Sequence, residues 1–220
     1  MKFYKRWQRI MLLVGLLTLV FIFWEFWAGR VEAQTTMTKF VECLAGIALI
    51  YVPEFLDKLF KVKIADFIVY SYWLFLFLAV FLGTCFHFMT LVPLWDKLLH
   101  LLSPMILTMV GYGILAEFLH KQKLREISPW AFLLFGFAFA SVCGIFWEFW
   151  EWIWDELADM NLQRYRLGSV QLVGHTALQD TMGYLLVNLS GTLFYSFYAA
   201  TKSRKSSEFF LKYRIYFLRQ

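Results

Sequence analysis

The chain has 220 residues, 60% of them hydrophobic and 21% aromatic, and a positive mean hydropathy of +0.59. A soluble domain of this size cannot hide that much apolar surface, so a single integral membrane domain with no soluble domain beside it is expected. The net charge of +5 does not call for nucleic acid, because the Lys and Arg residues cluster between apolar runs.

Met1 to Arg9 carries Lys2, Lys5, Arg6 and Arg9, and an apolar run over residues 10–28 forms the first predicted helix. A signal peptide competes for this run, since Val31-Glu-Ala33 loosely resembles a cleavage site. The run is longer than a usual signal core and ends on the Trp24/Trp27 pair, which suits a membrane interface. The second helix covers 38–55, with Glu42 near its start and Pro53-Glu54 near its end. A linker with Lys58, Lys61 and Lys63 leads to the third helix, 66–86. The fourth, 96–118, contains Ser103-Pro104 and Gly111-Tyr-Gly113. The fifth, 129–155, opens on Pro129, a favoured first residue of a helix. The sixth, 179–201, follows a polar loop holding Arg164, Arg166 and His175. The tail, 202–220, mixes Lys202, Arg204, Lys205, Lys212, Arg214 and Arg219 with Phe209, Phe210, Leu211, Tyr213, Ile215, Tyr216 and Phe217, and is expected along the membrane surface as an amphipathic helix. Cys43, Cys85 and Cys143 sit in apolar context, odd in number and without CxxC spacing, so they are read as packing residues.

Charge sets the expected topology. With the N-terminus inside, sixteen of the 21 basic residues fall in cytoplasmic segments and five outside. The fold expected is therefore all-α and polytopic, with six transmembrane helices and both termini cytoplasmic.

That topology gathers acids at one depth on the extracytoplasmic side. Asp96 and His100 start the fourth helix, Glu148, Glu151 and Asp155 end the fifth, and His175 and Asp180 start the sixth. Glu25 and Glu42 lie about one turn inside the ends of the first two. Glu148, Glu151 and Asp155 fall at i, i+3 and i+7 and share a face, extended by Ser141 and Gly144. Trp147, Trp150, Trp152 and Trp154 cover the other faces. Asp96, His100, Ser103 and Leu107 form a matching stripe, as do Asp180, Gly183, Val187 and Gly191, whose small residues favour close helix packing. Glu54 and Glu117 lie near the opposite surface, where exposure would explain them. His87 is read as a loop or interface residue, and Lys39 counts among the outer basic residues.

Acids at membrane depth mark a site by default. Asp96, His100, Glu148, Glu151, Asp155, His175 and Asp180 offer oxygen and imidazole ligands for a divalent metal ion. In an enzyme, the metal would polarise an oxygen or activate water, with Glu148, Glu151 and Asp180 as catalytic groups, on a lipid-linked or head-group substrate. Two other readings stay open. One is a cation- or proton-coupled transporter or binder, which a polar track reaching Glu54 or Glu117 would favour. The other is a hydrogen-bonded network that only holds the bundle together. Membrane lipids are the expected partners, and Arg164 and Arg166 face water or clamp a phosphate.

Trp95-Asp-Lys-Leu-Leu-His100, Trp147-Glu-Phe-Trp-Glu151 and Asp180-Thr-Met-Gly183 with Asn188 and Gly191 resemble the YjdF-like bacterial membrane proteins. The resemblance spans nearly the whole chain, including Tyr51-Val-Pro53. It implies a six-helix protein of the bacterial inner membrane with no established activity. In such proteins an acid often stands where this chain has Tyr184. A weaker likeness is to VanZ-like proteins, through Asp96-Lys97…His100 and Asp180…Asn188-Leu-Ser-Gly191. Those are linked to glycopeptide tolerance, which points to the cell envelope.

Overall fold

A computed structural model describes residues 2–217; Met1 and residues 218–220, including Arg219 of the basic tail, lie outside the described residues, as do the side chains of Lys2 and Phe3. The structure is helical throughout, with two small β ladders. The chain divides into two compact units, residues 1–99 with 212–220, and residues 100–211.

The first unit contains α1 (Lys2–Trp27), α2 (Ala33–Leu49), α3 (Val52–Phe60), α4 (Asp66–Leu76), a π-helical segment (Phe77–Cys85) and the short α5 (Phe88–Leu91). The second predicted helix is thus broken in two. Pro53 lacks the N–H that would serve the carbonyl of Leu49, and the helix stops before it. The Tyr72 hydroxyl donates to that carbonyl at 2.9 Å, and the Trp73 indole donates to Ile50 O at 3.0 Å. Gly15 and Gly46 allow close approach: a Cβ on the first would lie 2.6 Å from Ile47, and one on the second 2.8 Å from Val80. Met11, Ile22, Cys43, Ile50, Val69, Trp73, Leu76, Phe81 and Cys85 form the core between these helices.

The tail differs from the expected amphipathic helix. Residues Ser207–Tyr213 form a 3-10 turn, and β4 (Tyr216–Phe217) pairs antiparallel with β1 (Val62–Lys63). Burial explains the change. Tyr213 and Ile215 are enclosed in the first unit, and Phe210 is enclosed in the second, stacked on Phe132 at 4.5 Å. These apolar side chains fill protein cores instead of facing lipid.

α6 (Trp95–Phe118) runs through the division between the units. The second unit adds α7 (Pro129–Ala158) and α8 (His175–Ser203). Ser128 caps α7, accepting from Trp130 N, and Pro129 takes the first turn as expected. Between α7 and α8 the chain forms a hairpin, β2 (Arg166–Leu167) against β3 (Val170–Gln171). Gly191 of α8 packs on the Leu101 carbonyl and on Pro104 of α6, as the small-residue stripe required. Gly183, on the same stripe, meets nothing within 4 Å. The stripe is buried only at its inner end, because the buried face of α8 runs through Tyr184, Asn188, Thr192 and Tyr195.

Among the described residues, four helices are long and apolar enough to cross a membrane: Tyr4–Trp27, Asp66–Cys85, Trp95–Phe118 and Pro129–Ala158. The protein is therefore multi-pass. α2 has 17 residues, and α8 is diluted by Asn188, Ser190, Thr192 and Ser196. Asn188 and Thr192 point into protein, with Thr192 fully buried.

Candidate functional site

The acidic face of α7 is the best-formed polar feature of the second unit. Its buried residues are Phe132, Leu133, Gly136, Ala140, Gly144, Glu148, Glu151 and Asp155. One stripe thus changes from apolar to acidic along its length, in the register the sequence spacing gives. The indoles take the other faces: Trp147, Trp150, Trp152 and Trp154 are all exposed on the protein.

The three acids have different surroundings. Asp155 caps the following loop, accepting from Leu162 N at 2.5 Å and Gln163 N at 2.9 Å. Glu151 accepts from the indole of Trp147 at 2.9 Å. Glu148 is only 4% exposed, and neither of its oxygens has a hydrogen-bond partner within normal geometry. The uncharged side chains of Gln163 and Thr181 face it as polar neighbours, and the Gln163 amide also donates to the Thr181 hydroxyl at 3.0 Å. Asp180 adds a fourth carboxylate, with Arg164 3.8 Å from its Oδ1.

α6 and α8 contribute the rest. His100 stacks on Tyr184, ring centroids 3.9 Å apart, and the Arg164 guanidinium lies over the Tyr184 ring, 5.9 Å from its centroid. Tyr184 thus contributes a stacking surface at the place where an acid is expected from the family resemblance. Asn188 closes the inner side of the cluster, its amide 3.1 Å from where a Gly144 Cβ would lie. Gly144 is needed at this crossing, since a larger residue would push Asn188 away from the acidic stripe.

Of the other expected ligands, His175, the first residue of α8, is exposed, and Asp96 belongs to the first unit, half-buried in the first turn of α6. Among the described residues, no three His, Cys, Asp or Glu side chains form a group able to hold a metal ion. Arg166 turns outward to Asp159, bonding its carboxylate at 2.9 Å and its carbonyl at 3.0 Å, and this hydrogen bond raises the guanidinium pKa.

Glu117 corrects the sequence reading. It is buried, with 8% exposure, so exposure does not explain it. Between Glu148 and Glu117 the second unit encloses further polar side chains. Thr192 bonds back to Asn188 O at 3.0 Å, Thr108 to Pro104 O at 2.7 Å, and the Tyr112 hydroxyl to Ser196 at 3.2 Å. Thr108, Tyr112 and Thr192 are fully buried. None of these stood out in the sequence, because single Thr, Tyr and Ser residues are common in membrane helices. The signal available was their spacing: 108 with 112, and 188 with 192, place each pair on one face.

Comparison with known proteins assigns the family. The chain belongs to the family described as "Predicted membrane protein (DUF2238)", whose model matches residues 10–205. This is the YjdF-like group that the sequence motifs resemble. No curated protein and no solved structure matches the chain.

Proposed function

We propose that this DUF2238 membrane protein binds and passes protons, with Glu148 as the carrying group and the polar interior of the second unit as the route. The single observation that carries this reading is Glu148 itself, a carboxyl 4% exposed whose polar neighbours are the uncharged Gln163 and Thr181 and the like-charged Asp180. A buried carboxylate without a cationic partner is several kcal/mol unfavourable, which favours uptake of a proton or another cation. A cluster that served only to hold helices together would be fully paired.

A second observation supports passage. Asn188, Thr192, Thr108, Tyr112 and Ser196 line the interior toward the buried Glu117. Asn188 to Ser196 alone covers about 12 Å at 1.5 Å rise per residue. Passage along them requires buried water between them, because the Thr108 and Thr192 hydroxyls donate to their own helix carbonyls. The proton is favoured over a divalent metal because the acids are not grouped as metal ligands.

The topology belongs to the same proposal. Six spans, formed by α1, α2, α4 with the π segment, α6, α7 and α8, place both termini in the cytoplasm of a bacterial inner membrane. The sixteen-to-five distribution of basic residues supports it. Glu148 then opens outward and Glu117 inward.

The test is proton flux. Purified protein in sealed liposomes, loaded with a pH-sensitive dye, should dissipate an imposed pH gradient faster than empty liposomes. Glu148→Gln, which keeps the shape and removes the charge, should reduce flux to the empty-liposome rate. Equal flux in wild type and Glu148→Gln, or no flux above empty liposomes, defeats the reading.

A further inference from the structure

The first unit holds a second ionisable cluster, independent of Glu148. Glu25 of α1 is 8% exposed and Lys39 of α2 is 5% exposed, which is rare for either residue unless paired. His87, between the π segment and α5, completes the cluster with its side chain partly open to the outside. Lys39 Nζ is 2.6 Å from His87 Nε2, 3.3 Å from His87 Nδ1 and 3.4 Å from Glu25 Oε2, the Nε2 approach being the shortest. The same His87 Nε2 is 3.2 Å from Glu25 Oε1 and 3.1 Å from Oε2.

One ring nitrogen therefore faces an ammonium donor and a carboxylate acceptor. It cannot serve both in one protonation state. A neutral ring with its proton on Nδ1 offers the Nε2 lone pair to Lys39. A doubly protonated ring offers Nε2–H to Glu25 and repels Lys39. We propose that Glu25, Lys39 and His87 form a proton-binding site in which His87 exchanges Lys39 for Glu25 when a proton arrives.

The surroundings fit an added positive charge. Glu25 and Lys39 balance each other when His87 is neutral. Glu42, one turn along α2 from Lys39, has a buried carboxylate oxygen with no hydrogen-bond partner. It can receive the displaced ammonium. The other titratable side chains nearby are the buried thiols of Cys43 and Cys85. Arg30 is turned away over the ring of Trp24, 4.3 Å from its centroid. The partner exchange also has a mechanical outlet. His87 holds a left-handed backbone at φ 64°, and its carbonyl accepts from Thr90 N, Leu91 N and the Thr90 hydroxyl, so it anchors α5. A ring that changes partners pulls on that anchor.

The test is histidine NMR on the full chain in detergent. The protein has four histidines, and His87→Asn identifies the resonance. In the wild type, His87 should titrate reversibly, with the neutral ring in the Nδ1–H form. Lys39→Met removes the competing cation and should move the His87 titration midpoint upward by about one pH unit, a tenfold change in proton affinity. Lys39→Arg should restore it, and Glu25→Gln should move it down. A midpoint left unmoved by both Lys39→Met and Glu25→Gln overturns the proposal. Should Lys39→Met fail to fold, the wild-type tautomer still decides. A neutral ring protonated on Nε2, or a ring that does not titrate, overturns the proposal.

Discussion

Replacing Asp155 tests the geometry of the acidic stripe most simply. Both of its oxygens accept backbone N–H groups of the loop that follows α7, and the residue is 5% exposed. Asp155→Ala leaves two donors without acceptors. Each such loss is worth about 1–3 kcal/mol, and the loop is half-buried, so water recovers part of it. A loss of about 2–3 kcal/mol is expected. For a chain of this length each kcal/mol moves the midpoint by about 2–4 °C, which gives a fall of about 5–10 °C. Asp155→Asn keeps one acceptor and should lie between the two. The control is Glu156→Ala, an exposed neighbour, which should change little. Thermal unfolding in detergent, followed by circular dichroism or tryptophan fluorescence, reads all four proteins. An unchanged midpoint for Asp155→Ala would refute the capping role and return Asp155 to the ion-binding group.

Other consequences can be checked separately. Gly191→Leu should lower the thermal midpoint, because a side chain there collides with the Leu101 carbonyl and Pro104, whereas Gly183→Ala should be tolerated; equal effects would contradict the packing of α8 on α6. Cysteine introduced at Ser169 should label from outside the cell and at Gln122 only from inside; both positions are exposed, and the reverse pattern would invert the topology. Metal analysis of protein purified without chelator should find no stoichiometric divalent ion. A stoichiometric ion lost in Glu148→Gln would instead support the metal-dependent enzyme reading.

The acidic stripe of α7 was legible from sequence because a helix fixes which residues share a face. Spacing alone placed Glu148, Glu151 and Asp155 together, and the structure buries all three. Their separate roles were not legible, since partners come from elsewhere: loop N–H groups for Asp155, an indole for Glu151, the uncharged Gln163 and Thr181 for Glu148. The break at Pro53 was visible as a proline but not as a helix end. Prolines also occur inside membrane helices, as Pro104 does in α6, and the donors that make the break tolerable lie on α4. Lys39 read as an outer loop base because one cation near an interface is ordinary. Its pairing with Glu25 and His87 depends on tertiary packing that no local pattern reports. The tail read as amphipathic correctly in composition, but which surface its apolar residues would cover is a question of available core, and Phe210 and Tyr213 found one.

The central claim is that Glu148 carries a proton inside the second unit. Infrared difference spectroscopy across a pH titration measures that directly, through the carboxyl C=O stretch of a protonated glutamic acid. The account predicts a carboxyl band that appears and disappears reversibly with pH in the wild type and is missing from Glu148→Gln. The same band present in Glu148→Gln, or no titrating band in the wild type, would contradict it.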